Sequence, residues 1–149
     1  MELYPWLRFC GTAKSVGVEL PKVAIIAATE QVLASQPATI DAAMLSKMVD
    51  RGQIKGCIAD GPLALDVAID MESVQIKGLV SPVAGDADCL LFPNIESGNV
   101  FYKANSKLVK GVRQAGILVG AKVPCVLSSR ADSIDTKLNS IAIAAMSVR

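Results

Sequence analysis

With 149 residues, 52% of them hydrophobic, the chain can bury a sizeable core and suits one domain. Its 15 Lys and Arg stand against 14 Asp and Glu, a net charge of +1 without blocks of either sign, which argues against a nucleic-acid surface or a membrane-adsorbing patch. There is no histidine, so Ser-His-Asp and Cys-His catalysis are excluded, together with most catalytic zinc sites.

In residues 1–20, Trp6, Leu7, Phe9 and Cys10 are expected to form one apolar side of a short helix that Gly17 ends. The acid at Glu2 and the early Pro5 make this a poor signal peptide. The longest apolar run, Val23 to Ala28, falls far short of the roughly 20 residues a membrane helix needs. The expectation is a soluble cytoplasmic protein. Val23 to Ala28 is instead the pattern of a strand covered on both faces, as in parallel sheets.

After Pro37, Thr39 is expected to cap a helix whose apolar residues fall at Ile40, Met44 and Met48, broadened by Leu45 and Val49, with Gly52 as its stop. Gly56 to Ala59 reads as a second strand ending in Asp60-Gly61-Pro62. Ala64 to Ile69 begins a helix, and Met71 to Gly78 continues it or forms another. Cys89 to Phe92 is a third strand stopped by Pro93, and Gly98 to Lys110 supplies the next helix. Ile117 to Gly120 and Cys125 to Leu127 read as two last strands, and a closing helix from about Asp132 carries Ile134, Leu138, Ile141 and Ala145 on one side. Strand and helix alternate, so the fold class is α/β: a layered, mostly parallel sheet with helices on both faces and right-handed connections. The expected organisation is an N-terminal helix or linker over 1–20, an α/β domain over 21–120, and a C-terminal strand and helix over 121–149.

Cys10, Cys57, Cys89 and Cys125 are widely spaced without a CxxC pair. Such cysteines behave as small buried hydrophobes in a reducing compartment, so neither a disulfide framework nor a zinc site is indicated. No GxGxxG follows a strand, which weakens a dinucleotide-binding reading.

The stretch that points to chemistry is Ser128-Ser129-Arg130-Ala131-Asp132-Ser133, where an apolar strand opens through hydroxyls and a guanidinium into a helix. Unpaired amides and the dipole at a helix start favour an anion, and arginine adds a full charge. The same serines and Asp132 also suit plain capping of that helix. Asp60-Gly61-Pro62 by itself reads as a tight turn, Gly98-Asn99 as helix entry, and Lys103 as a solvated residue. In open α/β sheets ligands bind beyond the carboxyl ends of strands, where three of these blocks are expected to fall.

Four blocks in order carry a resemblance: Asp60 to Asp66, Ala87 to Pro93, Glu96 to Asn99 leading to Tyr102-Lys103, and Ser128 to Ser133 followed by Lys137 to Ala142. Together they resemble the phosphate acyltransferases, the phosphate butyryltransferase and phosphate acetyltransferase family, with the butyryl branch closer. The resemblance begins near Gly17, runs almost to Arg149, and covers the C-terminal half of a typical member. It implies the second domain plus C-terminal segment of that fold, of the isocitrate and isopropylmalate dehydrogenase type.

The implied reaction moves a short acyl group between CoA and inorganic phosphate, reversibly and without a cofactor or metal. Coenzyme A thioester and phosphate are then substrates. Carried over residue by residue, Arg130 neutralises phosphate or transition-state charge, and Ser129 donates a hydrogen bond to the developing oxyanion. The general base falls on Asp135 first and Asp132 second, the best-aligned position against the acetyl branch being Thr136. Ser128, Asp60, Gly61, Pro62, Glu96, Gly98, Asn99 and Lys103 are implied substrate contacts. The implied partners are small molecules, with a homo-oligomer or a pairing with the N-terminal half of the family. The reading from another class is a non-catalytic α/β fragment that holds phosphate or CoA without turnover.

Overall fold

The computed structural model describes residues 4–148, with side chains from 9 onward. The element order is α1 (Tyr4–Ser15), β1 (Lys22–Ile26), α2 (Pro37–Asp50), β2 (Ile58–Leu63), α3 (Leu65–Ile69), α4 (Met71–Lys77), β3 (Cys89–Leu91), α5 (Ile95–Leu108) and α6 (Ile134–Met146). Two units result: residues 20–98, and residues 4–19 with 99–148.

The first unit is α/β. Its three strands run parallel in the order β2-β1-β3, with β1 in the middle. The apolar run that suggested a doubly covered strand forms this central position, where Val23, Ala24, Ile25 and Ile26 are all buried. Leu63, Val67, Ala68, Val74, Val83 and Ala84 complete the core with Ala24 and Ile26.

Asp60-Gly61-Pro62 lies inside β2, where it was expected to close the strand. The register shifts between the pairs Ala24↔Asp60 and Ile26↔Leu63, so three residues of β2 span two of β1. Pro62 cannot donate to a ladder, and a bulge on an edge strand is where a sheet tolerates it. A Cβ on Gly61 would lie 2.7 Å from both the Cβ and the carbonyl oxygen of Ile25, so the close approach of the two strands requires glycine.

Two details of α2 differ from the sequence expectation. The N-cap position is Gln36, and Thr39 lies within the helix, fully buried. Its hydroxyl accepts from the Leu33 N–H (2.9 Å) and donates to the Gln36 carbonyl (2.8 Å), pinning the preceding loop. Of the expected apolar stripe, Ile40 and Met44 are exposed, whereas Thr39 and Ala42 are buried. Small residues face the sheet because α2 packs directly on β1 and β2, with Ser46 donating to Asp60 of β2 (3.3 Å).

Asp70 separates α3 from α4: its backbone is extended and its carboxylate caps α4 by accepting from Ser73 N–H (2.9 Å). At the other end of α4, Gly78 takes the left-handed conformation (φ 62°) that closes helices. α5 starts at Ile95, before the expected Gly98, because Asn94 Oδ1 accepts from Ser97 N–H (2.9 Å) and supplies the cap. Glu96, Gly98 and Asn99 are therefore helical residues.

In the second unit α1 lies against α6, where the Ser15 and Ser147 hydroxyls meet at 3.0 Å. Cys10 of α1 is buried, and the expected roles of Trp6 and Leu7 fall outside the described side chains. The two last strands do not form. Residues 117–120 and 125–127 make one isolated antiparallel bridge, Leu118↔Cys125, closed by hydrogen bonds of 2.8 and 3.0 Å. Gly120 and Pro124 interrupt the run, and proline removes a ladder donor.

α6 begins at Ile134 with Ser133 as its N-cap, accepting from Thr136 N–H (3.1 Å). The apolar side of α6 faces outward, with Ile134, Leu138 and Ile141 exposed at 77%, 59% and 57%. Ser140 and Ala144 are buried instead.

Candidate functional site

Within the second unit a cavity of about 280 Å³ opens between α5, the 116–132 loop and α6. α5 supplies Asn99, Tyr102 and Lys103, which helical spacing places on one side of that helix. The loop supplies Ser129 and Asp132, α6 supplies Ser140, and Leu118 and Leu127 add an apolar wall.

Side-chain to backbone bonds hold these pieces together. Ser140 Oγ donates to the Thr136 carbonyl (2.7 Å) and accepts from Gly116 N–H (3.0 Å). Gln114 Nε2 donates to the Tyr102 carbonyl (3.0 Å), and Asn139 Nδ2 donates to the Gln114 carbonyl (3.4 Å). The loop is thereby fastened to both helices.

Around Ser129 the chain closes on itself. Ser129 N–H donates to Asp132 Oδ2 (2.8 Å), and Asp132 N–H returns to the Ser129 carbonyl (3.1 Å). The other Asp132 oxygen lies 3.9 Å from Lys103 Nζ. Lys103 Nζ also sits 5.1 Å from the Tyr102 ring centroid. Burial, and secondly the charge of Asp132, push the Tyr102 phenol above its ordinary range.

The structure thus brings Asn99, Lys103, Ser129 and Asp132 to one cavity. Arg130 follows at the exposed tip of the same turn, and Ser128 precedes it, half-buried. Asp135 lines a second concavity, of about 340 Å³, with Arg113, Gln114 and Asn139. Asp60, Gly61, Pro62, Glu96 and Gly98 belong to the sheet unit. There Asp60 Oδ1 accepts from Gly61 N–H (2.8 Å) as well as from Ser46, so that carboxylate holds its own bulge.

Sequence reasoning passed over Tyr102 and Ser140. A usable signal existed for Tyr102, an aromatic three residues after Asn99 and beside Lys103; Ser140 had none, since a serine within a helix is ordinary. Of the amides at the start of the closing helix, those of Asp132 and Thr136 are bonded within the turn and the cap.

The four cysteines form no disulfide, and burial raises Cys89 to about 11, out of the range of a reactive thiolate at neutral pH. Among the described residues no group of three or more His, Cys, Asp or Glu is placed to hold a metal ion, and no helix is long and apolar enough to cross a membrane.

The sequence pattern of the family described as phosphate acetyl/butaryl transferase matches residues 8–145. The chain belongs to this family. Over 134 residues it is 56% identical to the phosphate butyryltransferase of Clostridium acetobutylicum, covering 90% of this chain and 44% of that protein. Against the phosphate acetyltransferase of Thermotoga maritima it is 52% identical over 134 residues, covering 90% and 45%. The crystal structure of a branched-chain phosphotransacylase from Enterococcus faecalis superimposes with a TM-score of 0.81 at 33% identity, covering 93% of this chain and 49% of that one. The chain spans under half the length of the curated phosphate acyltransferases it matches.

Proposed function

We propose that this chain carries part of the active site of an acyltransferase that moves a short acyl group between CoA and inorganic phosphate: acyl-CoA and phosphate give acyl phosphate and CoA. The observation that carries this reading is the convergence of the Ser129 hydroxyl and the Lys103 ammonium in one cavity, beside Arg130, in a chain 56% identical to a phosphate butyryltransferase. No histidine is needed for it. Phosphate is already a nucleophile in the forward direction, and CoA leaves as thiolate.

In that direction a phosphate oxygen attacks the thioester carbonyl; negative charge grows on the carbonyl oxygen as the new C–O bond forms, and passes to sulfur as the C–S bond breaks and CoA leaves as thiolate. Arg130, with a fork that pairs two phosphate oxygens and stays charged, orients the nucleophile. Ser129 Oγ donates to the developing oxyanion. Lys103 adds positive charge on the α5 side. In reverse, the CoA thiol must lose its proton, and its intrinsic pKa of about 8.5 calls for a base. Asp135 or Asp132 is the acid for that role. Ser128, Asp60, Gly61, Pro62, Glu96, Gly98 and Asn99 are proposed substrate contacts. The substrates are small and soluble, which suits the cytoplasm.

The test is phosphate-dependent release of thiol from butyryl-CoA and acetyl-CoA, by the 149-residue chain alone and with the remaining length of the family supplied as a second polypeptide. Arg130→Lys keeps the charge but loses the bidentate fork, and is expected to cut kcat/KM by roughly tenfold or more. Ser129→Ala is expected to lower kcat by about 10²-fold with little change in melting temperature. Wild-type kinetics in both variants removes these assignments, and no release under either condition removes the function.

A further inference from the structure

Asp132 has been weighed above as a proton acceptor. Its side chain is only 13% exposed, and both oxygens have partners or neighbours: Oδ2 on the Ser129 amide, Oδ1 facing the Lys103 ammonium at 3.9 Å. The return bond from Asp132 N–H to the Ser129 carbonyl makes the tie reciprocal. A four-residue turn is closed at its neck, with Arg130 and Ala131 at its tip. Ala131 N–H reaches back to Ser129 Oγ at 3.4 Å, so the hydroxyl is held toward the same turn.

Two consequences follow. The Ser129 amide is committed to a carboxylate and cannot serve as an oxyanion donor, which leaves that work to Oγ. Protonating Asp132 would weaken the tie that shapes the turn, so a proton delivered there in each cycle would disturb the geometry on which Ser129 and Arg130 depend.

We infer that Asp132 is a positioning residue: its carboxylate closes the Ser129–Asp132 turn and orients Lys103, presenting Ser129 Oγ and Arg130 to the anionic substrate, and it does not act as the general base. This rests on the proposed function for what the turn presents, but the closure of the turn can be tested without turnover. The charged and titratable groups facing Asp132 are Lys103 and Tyr102 of α5, with Arg130 on its own turn.

The experiment compares the wild-type chain with Asp132→Asn, which keeps an acceptor for the Ser129 N–H, and Asp132→Ala, which does not. Amide hydrogen exchange at Ser129, followed by NMR, is expected to quicken roughly tenfold in Asp132→Ala and to stay near wild type in Asp132→Asn. Inorganic phosphate, titrated against the Arg130 and Ser129 signals, is expected to bind more weakly in Asp132→Ala than in Asp132→Asn. Unchanged Ser129 exchange in Asp132→Ala overturns the inference, as does phosphate binding that is equal in the two variants.

In the reverse assay, thioester formation from butyryl phosphate and CoA, the acidic limb of the pH–rate profile is expected to persist in Asp132→Asn. Its disappearance, with Ser129 exchange still protected, would make Asp132 the base and overturn the inference from the other side. A wild-type chain without phosphate-dependent release counts against the proposed function alone, because Ser129 exchange and phosphate binding then decide the role of Asp132.

Discussion

The two units are held by different kinds of interaction. In residues 20–98 the strands and helices close over Ala24, Ile26, Leu63, Val67, Val74 and Val83, a continuous apolar core. In the unit made of 4–19 and 99–148, Cys10, Ser140 and Ala144 are the buried residues among the described side chains. Hydrogen bonds from Ser140, Gln114, Asn139 and the Ser129–Asp132 turn join its pieces. The residues proposed for chemistry at the Ser129 turn belong to this second unit. Burial of apolar surface is non-directional and tolerates neighbours of similar size, whereas hydrogen bonds set directions. A unit organised by directional bonds suits side chains that must be aimed.

That contrast can be broken by substitution. The largest effect is expected for Leu63→Ala in the core of the sheet unit, a residue 1% exposed, with a loss of about 2–5 kcal/mol in denaturant unfolding. A loss below about 1 kcal/mol would mean that this core does not carry the unit.

Next comes Ser140→Ala, which strands the Gly116 N–H and should cost about 1–3 kcal/mol, with faster exchange at that amide. An unaffected Gly116 amide would show that the 116–132 loop is fastened by something other than Ser140. The smallest effect belongs to Ile141→Gln on the exposed side of α6, expected within about 0.5 kcal/mol of wild type by the same unfolding measurement. A large loss there would show that the outward apolar side is covered in solution.

Much of the secondary structure was legible along the chain. The β1 run, the helical segments on either side of Asp70, and β3 before Pro93 all follow local rules of burial and proline chemistry, whereas the break at Asp70 was left open along the chain. What failed was orientation. In α2 and α6 the apolar stripe predicts the buried side, yet Thr39 and Ala42 in one, and Ser140 and Ala144 in the other, face inward. Small residues win where a helix packs closely, and closeness is a property of the neighbour. The start of α5 was missed because Asn94, three residues before Ser97, caps it through its side chain.

The site divided in the same way. The Ser128 to Ser133 block, Asn99 and Lys103 were legible through family resemblance, since their chemistry follows from residue type and order. Tyr102 and Ser140 lie within the resembling blocks but gained a place at the cavity only when α5, the loop and α6 were assembled around it.

By itself the sequence determined the α/β class, the parallel strand run of the first unit, the absence of histidine from these 149 residues, and membership of the phosphate acyltransferase family, because these depend on composition, local pattern and ordered motifs. Tertiary structure alone decided which side of each helix is buried, that residues 117–127 form a single bridge and no strand pair, and that Asp132 closes on Ser129 while Asp135 lines another concavity. Those outcomes depend on contacts between residues distant in sequence, or on the path the backbone takes through a turn, and neither is written in residue order.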